Sequence, residues 1–260
     1  MESSIMEYKK KKKTSIRMMS EIISYLKQHH LYFKTDQVDG TPRITMSFQN
    51  CDRCPDNITE GCIWFYEDSM EVRVYYSKSG AEICKKSTKV YELCRLLNFM
   101  NARIWIAVSD GMEGALYKSQ CLILPRFYIT EDEMQDITST MLIPYTYFEL
   151  NMLQIEDFIT GALPSLLDCL STPVFLLLEG KITVDEAIDM VKLEVVGKDD
   201  AGECGERDVC DQPQPTGEDR RYRFRWERSD FGQAVARRDE KDAPQEHQLP
   251  AGSEAEGERV

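Results

Sequence analysis

The chain is predicted to fold as an α+β domain: an antiparallel sheet in the order α-β-β-β-α-β-β, covered by helices, with additional C-terminal helices and a disordered tail. Three observations predict it. Apolar residues recur at helical spacing in two segments before residue 103. Short runs rich in β-branched and aromatic residues, separated by polar turns, lie between and after them. From Lys198 onward Asp, Glu, Arg, Gly, Pro and Gln dominate, with too few large apolar side chains to offset the entropy of ordering the chain.

The first helix is expected over residues 15–29, where Ile16, Met19, Ile22, Ile23 and Leu26 form one stripe. The lysines at 9–13 oppose the dipole at a helix N-terminus, so residues 1–13 are expected to be a flexible basic lead-in. Three strands follow, at Arg43 to Phe48, Cys62 to Glu67 and Glu71 to Tyr76. In the third, Val72, Val74 and Tyr76 alternate with Glu71, Arg73 and Tyr75, which predicts one buried and one wet face. A second helix is expected over Ser87 to Ala102, with Val90, Leu93, Leu97 and Met100 inward and Ser87 or Thr88 as cap. Strands at Ile104 to Val108 and Ala115 to Leu124 come next, joined through Asp110-Gly111. Asp110 with Glu113 reads there as turn chemistry. Thr130-Glu131-Asp132-Glu133 and Thr183-Val184-Asp185-Glu186 both carry the capping-box pattern and predict helix starts. Between them Phe148, Met152, Ile155, Ile159, Ala162 and Leu166 give a helical stripe interrupted by Pro164 and flanked by Pro144 and Pro173. The domain is thereby placed at 14–197 and the charged tail at 198–260.

A formal net charge of -13 disfavours nucleic acid as the main partner, since phosphate affinity needs clustered Lys and Arg. Two basic sets, the lysines at 9–13 and Arg220, Arg221, Arg223 and Arg225 interleaved with Tyr222, Phe224 and Trp226, could touch an anionic surface; the plainer reading is a solvated tail and a frayed end. Nine cysteines without a hydrophobic signal peptide predict reduced thiols in the cytoplasm. No uninterrupted apolar run approaches the ~20 residues of a membrane span.

The segment Leu96-Leu97-Asn98-Phe99-Met100-Asn101, running into Arg103-Ile104-Trp105-Ile106-Ala107, then Asp110-Gly111 and Gly114-Ala115-Leu116-Tyr117, resembles the YbjN-like family of the type III secretion chaperone-like fold. The resemblance spans residues 15–195 at most. It implies a small sheet covered by helices, homodimerisation and protein-binding, chaperone-like or regulatory work, with no catalytic residues. Asn98 and Asn101 carry over as helix-end capping or hydrogen-bonding groups.

Few residues offer chemistry. Cys51 and Cys54 followed by Cys62 could hold zinc, though no fourth ligand is evident, and an ordinary turn with free thiols explains the same spacing. His29 and His30 are adjacent at a helix end and His247 lies in the tail, which leaves little for proton transfer. No metalloprotease, nucleophile-elbow, P-loop or dinucleotide motif is present, so the expectation is a protein without catalytic residues. The aromatic surplus is the remaining signal. Trp64, Tyr66, Tyr75 and Trp105 fall on strands whose faces alternate, so some of them must point away from the core, either beneath C-terminal helices or into a protein interface.

Overall fold

In the computed structural model, residues 2–109, 120–196 and 222–227 are described. The fold is α+β, with an antiparallel six-stranded sheet as its centre. Helix α1 spans Glu2–Gln28 and so includes the lysine run expected to lie outside it. Of the predicted stripe Ile22 and Leu26 are buried and Met19 and Ile23 partly so, while Ile16 is 53% exposed and Met18 and Tyr25 take inward positions instead.

Strand β1, Phe33–Val38, was hidden by its polarity: the run FKTDQV has no apolar alternation. It pairs with β2, Thr41–Gln49, through a two-residue turn in which Asp39 and Gly40 both have positive φ, 51° and 78°. Asp-Gly is the dipeptide that such a turn favours. Strands β3, Ile58–Phe65, and β4, Ser69–Tyr76, complete the expected meander. On one face Ile44, Met46, Phe48, Ile63, Phe65, Val72, Val74 and Tyr76 are buried.

Helix α2, Lys78–Lys86, was not predicted, because its inward face consists of the small residues Gly80, Ala81 and Cys84. Helix α3 spans Val90–Arg103, with Leu93, Leu96, Leu97 and Met100 buried. Its start is supported by Ser87, whose hydroxyl accepts from the Lys89 amide at 3.0 Å. Strand β5, Ile104–Ser109, pairs antiparallel with β6, Gln120–Ile123, in a separate three-stranded sheet. The Asp110-Gly111 turn and Glu113 lie outside the described residues.

The first capping-box expectation is corrected. Thr130 to Asp136 is a turn: Asp132 Oδ1 accepts from the Thr130 hydroxyl and the Met134 amide, and the Asp136 amide donates to Thr130 Oγ1. The turn joins β7, Arg126–Ile129, to β8, Ile137–Pro144. Strand β8 then pairs with β4, so the order is β1-β2-β3-β4-β8-β7. Polar side chains that can cap a helix can equally close a turn, and the β-branched residues that follow favour a strand.

Helix α4 is Tyr145–Leu150 and α5 is Met152–Asp157; a π-turn at Phe158–Ala162 leads into α6, Leu163–Leu178. Pro164 follows directly on the π-turn at the start of α6, while Pro173 lies inside the helix it was expected to flank. The run Met152–Leu178 is long and apolar enough to cross a membrane, and 72% of its most apolar window is buried within the protein. Tyr76 and Phe175 meet edge to face, with ring centroids 4.9 Å apart, which fixes α6 on β4. Helix α7, Val184–Val196, begins at the second predicted box: the Thr183 amide donates to Glu186 Oε2 at 2.7 Å and the Glu186 amide to Thr183 Oγ1 at 3.3 Å.

Within the stretch read as a tail, Tyr222–Glu227 forms strand β9, parallel to β5. The interleaving of Tyr222, Phe224 and Trp226 with arginines is the alternation of a strand. Phe224 packs partly buried against the core.

Candidate functional site

Cross-strand register decides what shares the outer face of the large sheet. Arg43 lies opposite Trp64, Trp64 opposite Glu71, Cys62 opposite Arg73, and Arg73 opposite Thr140. Tyr75 and Tyr128 are both opposite Thr138. Trp64 and Tyr75 therefore share this face, the Tyr66 hydroxyl reaches it at Glu71, and Tyr128 lies on it from a strand that the sequence pattern does not reveal. Trp105 does not. It is on β5 of the other sheet, opposite Arg223 of β9.

Polar side chains of this face hold one another. Arg43 lies 4.9 Å from the Trp64 ring centroid and donates twice to Asp36, at 2.9 and 2.5 Å. Arg73 makes a forked pair with Glu71, at 2.8 and 3.0 Å, while the Tyr66 hydroxyl donates to Glu71 Oε2 at 2.8 Å. Thr140 donates to Val72 O at 2.9 Å, with Glu71 Oε1 3.3 Å away. Burial pushes the Glu71 carboxyl up, but hydrogen bonds from Arg73, Tyr66 and Thr140 and the guanidinium charge outweigh it, leaving the group below its ordinary value. Burial, reinforced by Glu71, pushes the Tyr66 phenol up to about 12. Burial also raises Tyr75 and Tyr128. Yet the face is not sealed: Tyr66 is 37% exposed and Leu142, opposite Glu71, is 60% exposed.

At its β7 end the face opens into a groove of about 650 Å³ lined by Glu71, Asn101, Leu124, Arg126, Tyr128 and Thr140 among others. Asn101 is the hydrogen-bonding group expected of it, since its amide clamps the Phe127 backbone; Asn98 is exposed.

The predicted cysteine triad is divided by the sheet. Cys51 and Cys54 are 5% exposed, in the loop between β2 and β3. Cys51 Sγ lies 3.5 Å from Thr59 Oγ1, and Thr59 is a buried residue of β3. Cys62 is three residues further along that strand, so alternation turns it to the opposite face beside Arg73 and Arg43. Asp168 of α6 takes its place: its carboxylate and both sulfurs lie within 4.8 Å of one another. The Cys54 thiol hydrogen-bonds to Cys51, which lowers Cys51 and, together with burial, raises Cys54. Nothing in the sequence linked Asp168 to a loop more than a hundred residues earlier.

No family model, curated protein or solved structure matches the chain.

Proposed function

We propose that this chain is a non-catalytic protein-interaction domain whose binding surface is the outer face of the six-stranded sheet, with a second copy of the chain as its partner. One observation carries the reading: helix side chains fill one face of the sheet, while the other holds exposed Tyr66 and half-buried Trp64, Tyr75 and Tyr128 around anchored arginines. Aromatic residues and Arg are the side chains enriched in protein interfaces. The face also carries both signs of charge in paired form, Asp36 with Arg43 and Glu71 with Arg73, which suits a self-complementary two-fold contact.

Its size fits. Six strands about 4.8 Å apart and about seven residues long cover roughly 700 Å², close to the ~800 Å² per partner of a standard interface. Three of the groove's polar groups are already engaged, Glu71 by Arg73 and Tyr66, Asn101 by Phe127, and Thr140 by Val72, which favours binding over proton transfer at those positions. A general base needs a lone pair free to reach a substrate proton. The work is that implied by the YbjN-like resemblance, chaperone-like or regulatory, in the reducing cytoplasm that suits free thiols.

Light scattering after size exclusion tests the reading. The full chain is expected at twice the monomer mass, and Leu142→Lys, which alters an exposed position of the face, is expected to shift it toward monomer without changing its circular dichroism. A monomeric wild type at tens of micromolar, or a dimer indifferent to Leu142→Lys, overturns it.

A further inference from the structure

The loop between β2 and β3 turns tightly beside helix α6. Cys51 ends the approach from β2, and the chain folds back at once: the Cys54 amide donates to Cys51 O at 2.9 Å and the Asn57 amide to Cys54 O at 3.0 Å. Asn50, Asp56 and Asn57 have φ of 64°, 60° and 56°, so three non-glycine residues occupy the left-handed region to make the turn. The result places two buried sulfurs side by side, facing α6.

Helix α6 meets them with an oriented carboxylate. Asp168 Oδ1 accepts from the Arg53 amide at 2.9 Å, and the Ser171 hydroxyl donates to Arg53 O at 2.6 Å, so one residue of the loop is gripped from both sides by one helix. The Arg53 side chain reaches on to Glu194 of α7 at 2.5 Å, which ties the loop to a second helix. These are outer contacts of the type that fix the direction of a ligand before a metal arrives.

We infer that Cys51, Cys54 and Asp168 form a zinc site that clamps the loop between β2 and β3 onto helix α6. Two thiolates and a carboxylate form a borderline-soft donor set that suits zinc over magnesium or calcium. With Zn–S near 2.3 Å and Zn–O near 2.0 Å, tetrahedral ligand atoms lie roughly 3.5–3.8 Å apart, and the three atoms here already lie within 4.8 Å of one another. Small side-chain adjustments close the difference. Binding releases the two thiol protons to solvent, and the fourth position is taken by water. The site faces α6, while the proposed interface uses the opposite side of the sheet, so each stands or falls alone.

Cobalt(II) substitution tests it on the full chain after chelator treatment and thiol reduction. The expected result is one equivalent bound, with a thiolate-to-cobalt charge-transfer band and the visible bands of a tetrahedral site, displaced by one equivalent of zinc. Cys51→Ser and Cys54→Ser are expected to abolish the charge-transfer band. Asp168→Asn is expected to weaken binding at least tenfold, and Asp168→Cys to strengthen the band by adding a thiolate. Cys62→Ser is expected to leave the spectrum unchanged. Should either serine variant fail to fold, the two Asp168 variants decide the matter. Absence of a tetrahedral spectrum, a band that survives Cys54→Ser in a folded protein, or indifference to both Asp168 variants overturns the proposal.

Discussion

The side-chain amide of Asn101 holds one residue by two hydrogen bonds, accepting from the Phe127 amide at 2.7 Å and donating to the Phe127 carbonyl at 2.9 Å. Phe127 belongs to β7, the last strand of the large sheet, and its backbone groups point away from β8. Asn101, at the end of α3, therefore presents β7 with the donor and acceptor that a further strand would supply, closing an edge otherwise open to pairing. Asn101→Ala is expected to lower stability by about 1–2 kcal/mol, and Asn101→Asp to cost a similar amount by losing the donor to the Phe127 carbonyl. Urea unfolding of both variants checks this; midpoints equal to wild type contradict it.

Strand β9 bears on where the folded unit ends. Phe224 lies opposite Ile106 and packs against the core, so a chain cut after residue 197 loses a strand and part of an aromatic side chain. Partial burial sets the cost of Phe224→Ala at about 1–2 kcal/mol, below that of a fully buried Phe. Thermal unfolding is expected to show a fall of several degrees for the truncation and a smaller one for the point variant. A truncated chain with an unchanged Tm contradicts the docking of β9.

Glu71 supplies the pH dependence. Its pKa in the folded protein is below the ordinary value, so the unfolded chain binds its proton first as pH falls. Its contribution is fully present above the unfolded value of about 4.3, and is lost as pH falls through the lower folded value. Glu71→Gln is expected to cost about 1 kcal/mol at neutral pH, a modest figure because the pair is partly open to solvent screening, and to flatten the stability profile below about pH 4.3. A variant with the wild-type acid slope contradicts this role.

Gly80 accounts for how closely α2 can lie. A Cβ at that position would fall 2.7 Å from Tyr76 Cβ and 3.1 Å from Phe175 Cζ, so neighbouring residues would have to move. Gly80→Ala is expected to destabilise by about 1–3 kcal/mol despite the better helix propensity of alanine. A stabilised variant in calorimetry shows that the contact yields freely.

The parts of the fold that were legible in the sequence are those whose pattern has one reading. The α3 stripe, the alternation of β4 and the box at Thr183 each matched the structure because period and cap agree with the packing. What escaped did so for identifiable reasons. Strand β1 is polar at an edge and is marked only by the turn Asp39-Gly40; α2 docks through small residues; β8 sits behind a Thr-Asp turn that mimics a helix cap. At the candidate site, alternation foretold that aromatic residues would have to face outward, but placing Tyr128 among them and removing Trp105 required the strand order. Exchanging Cys62 for Asp168 required both the faces of β3 and a contact between a loop and a helix distant in sequence, which local spacing does not encode.

Site-specific photocrosslinking tests most directly whether the outer face of the sheet meets a second copy of the chain, as proposed. A benzophenone amino acid replacing Leu142, exposed on that face opposite Glu71, is compared with the same group replacing Leu193, which is 78% exposed on α7. A crosslinked dimer is expected from position 142, suppressed by dilution or by Tyr75→Asp, and none from position 193. Equal crosslinking from both positions, or none from 142 at concentrations where light scattering reports a dimer, would contradict it.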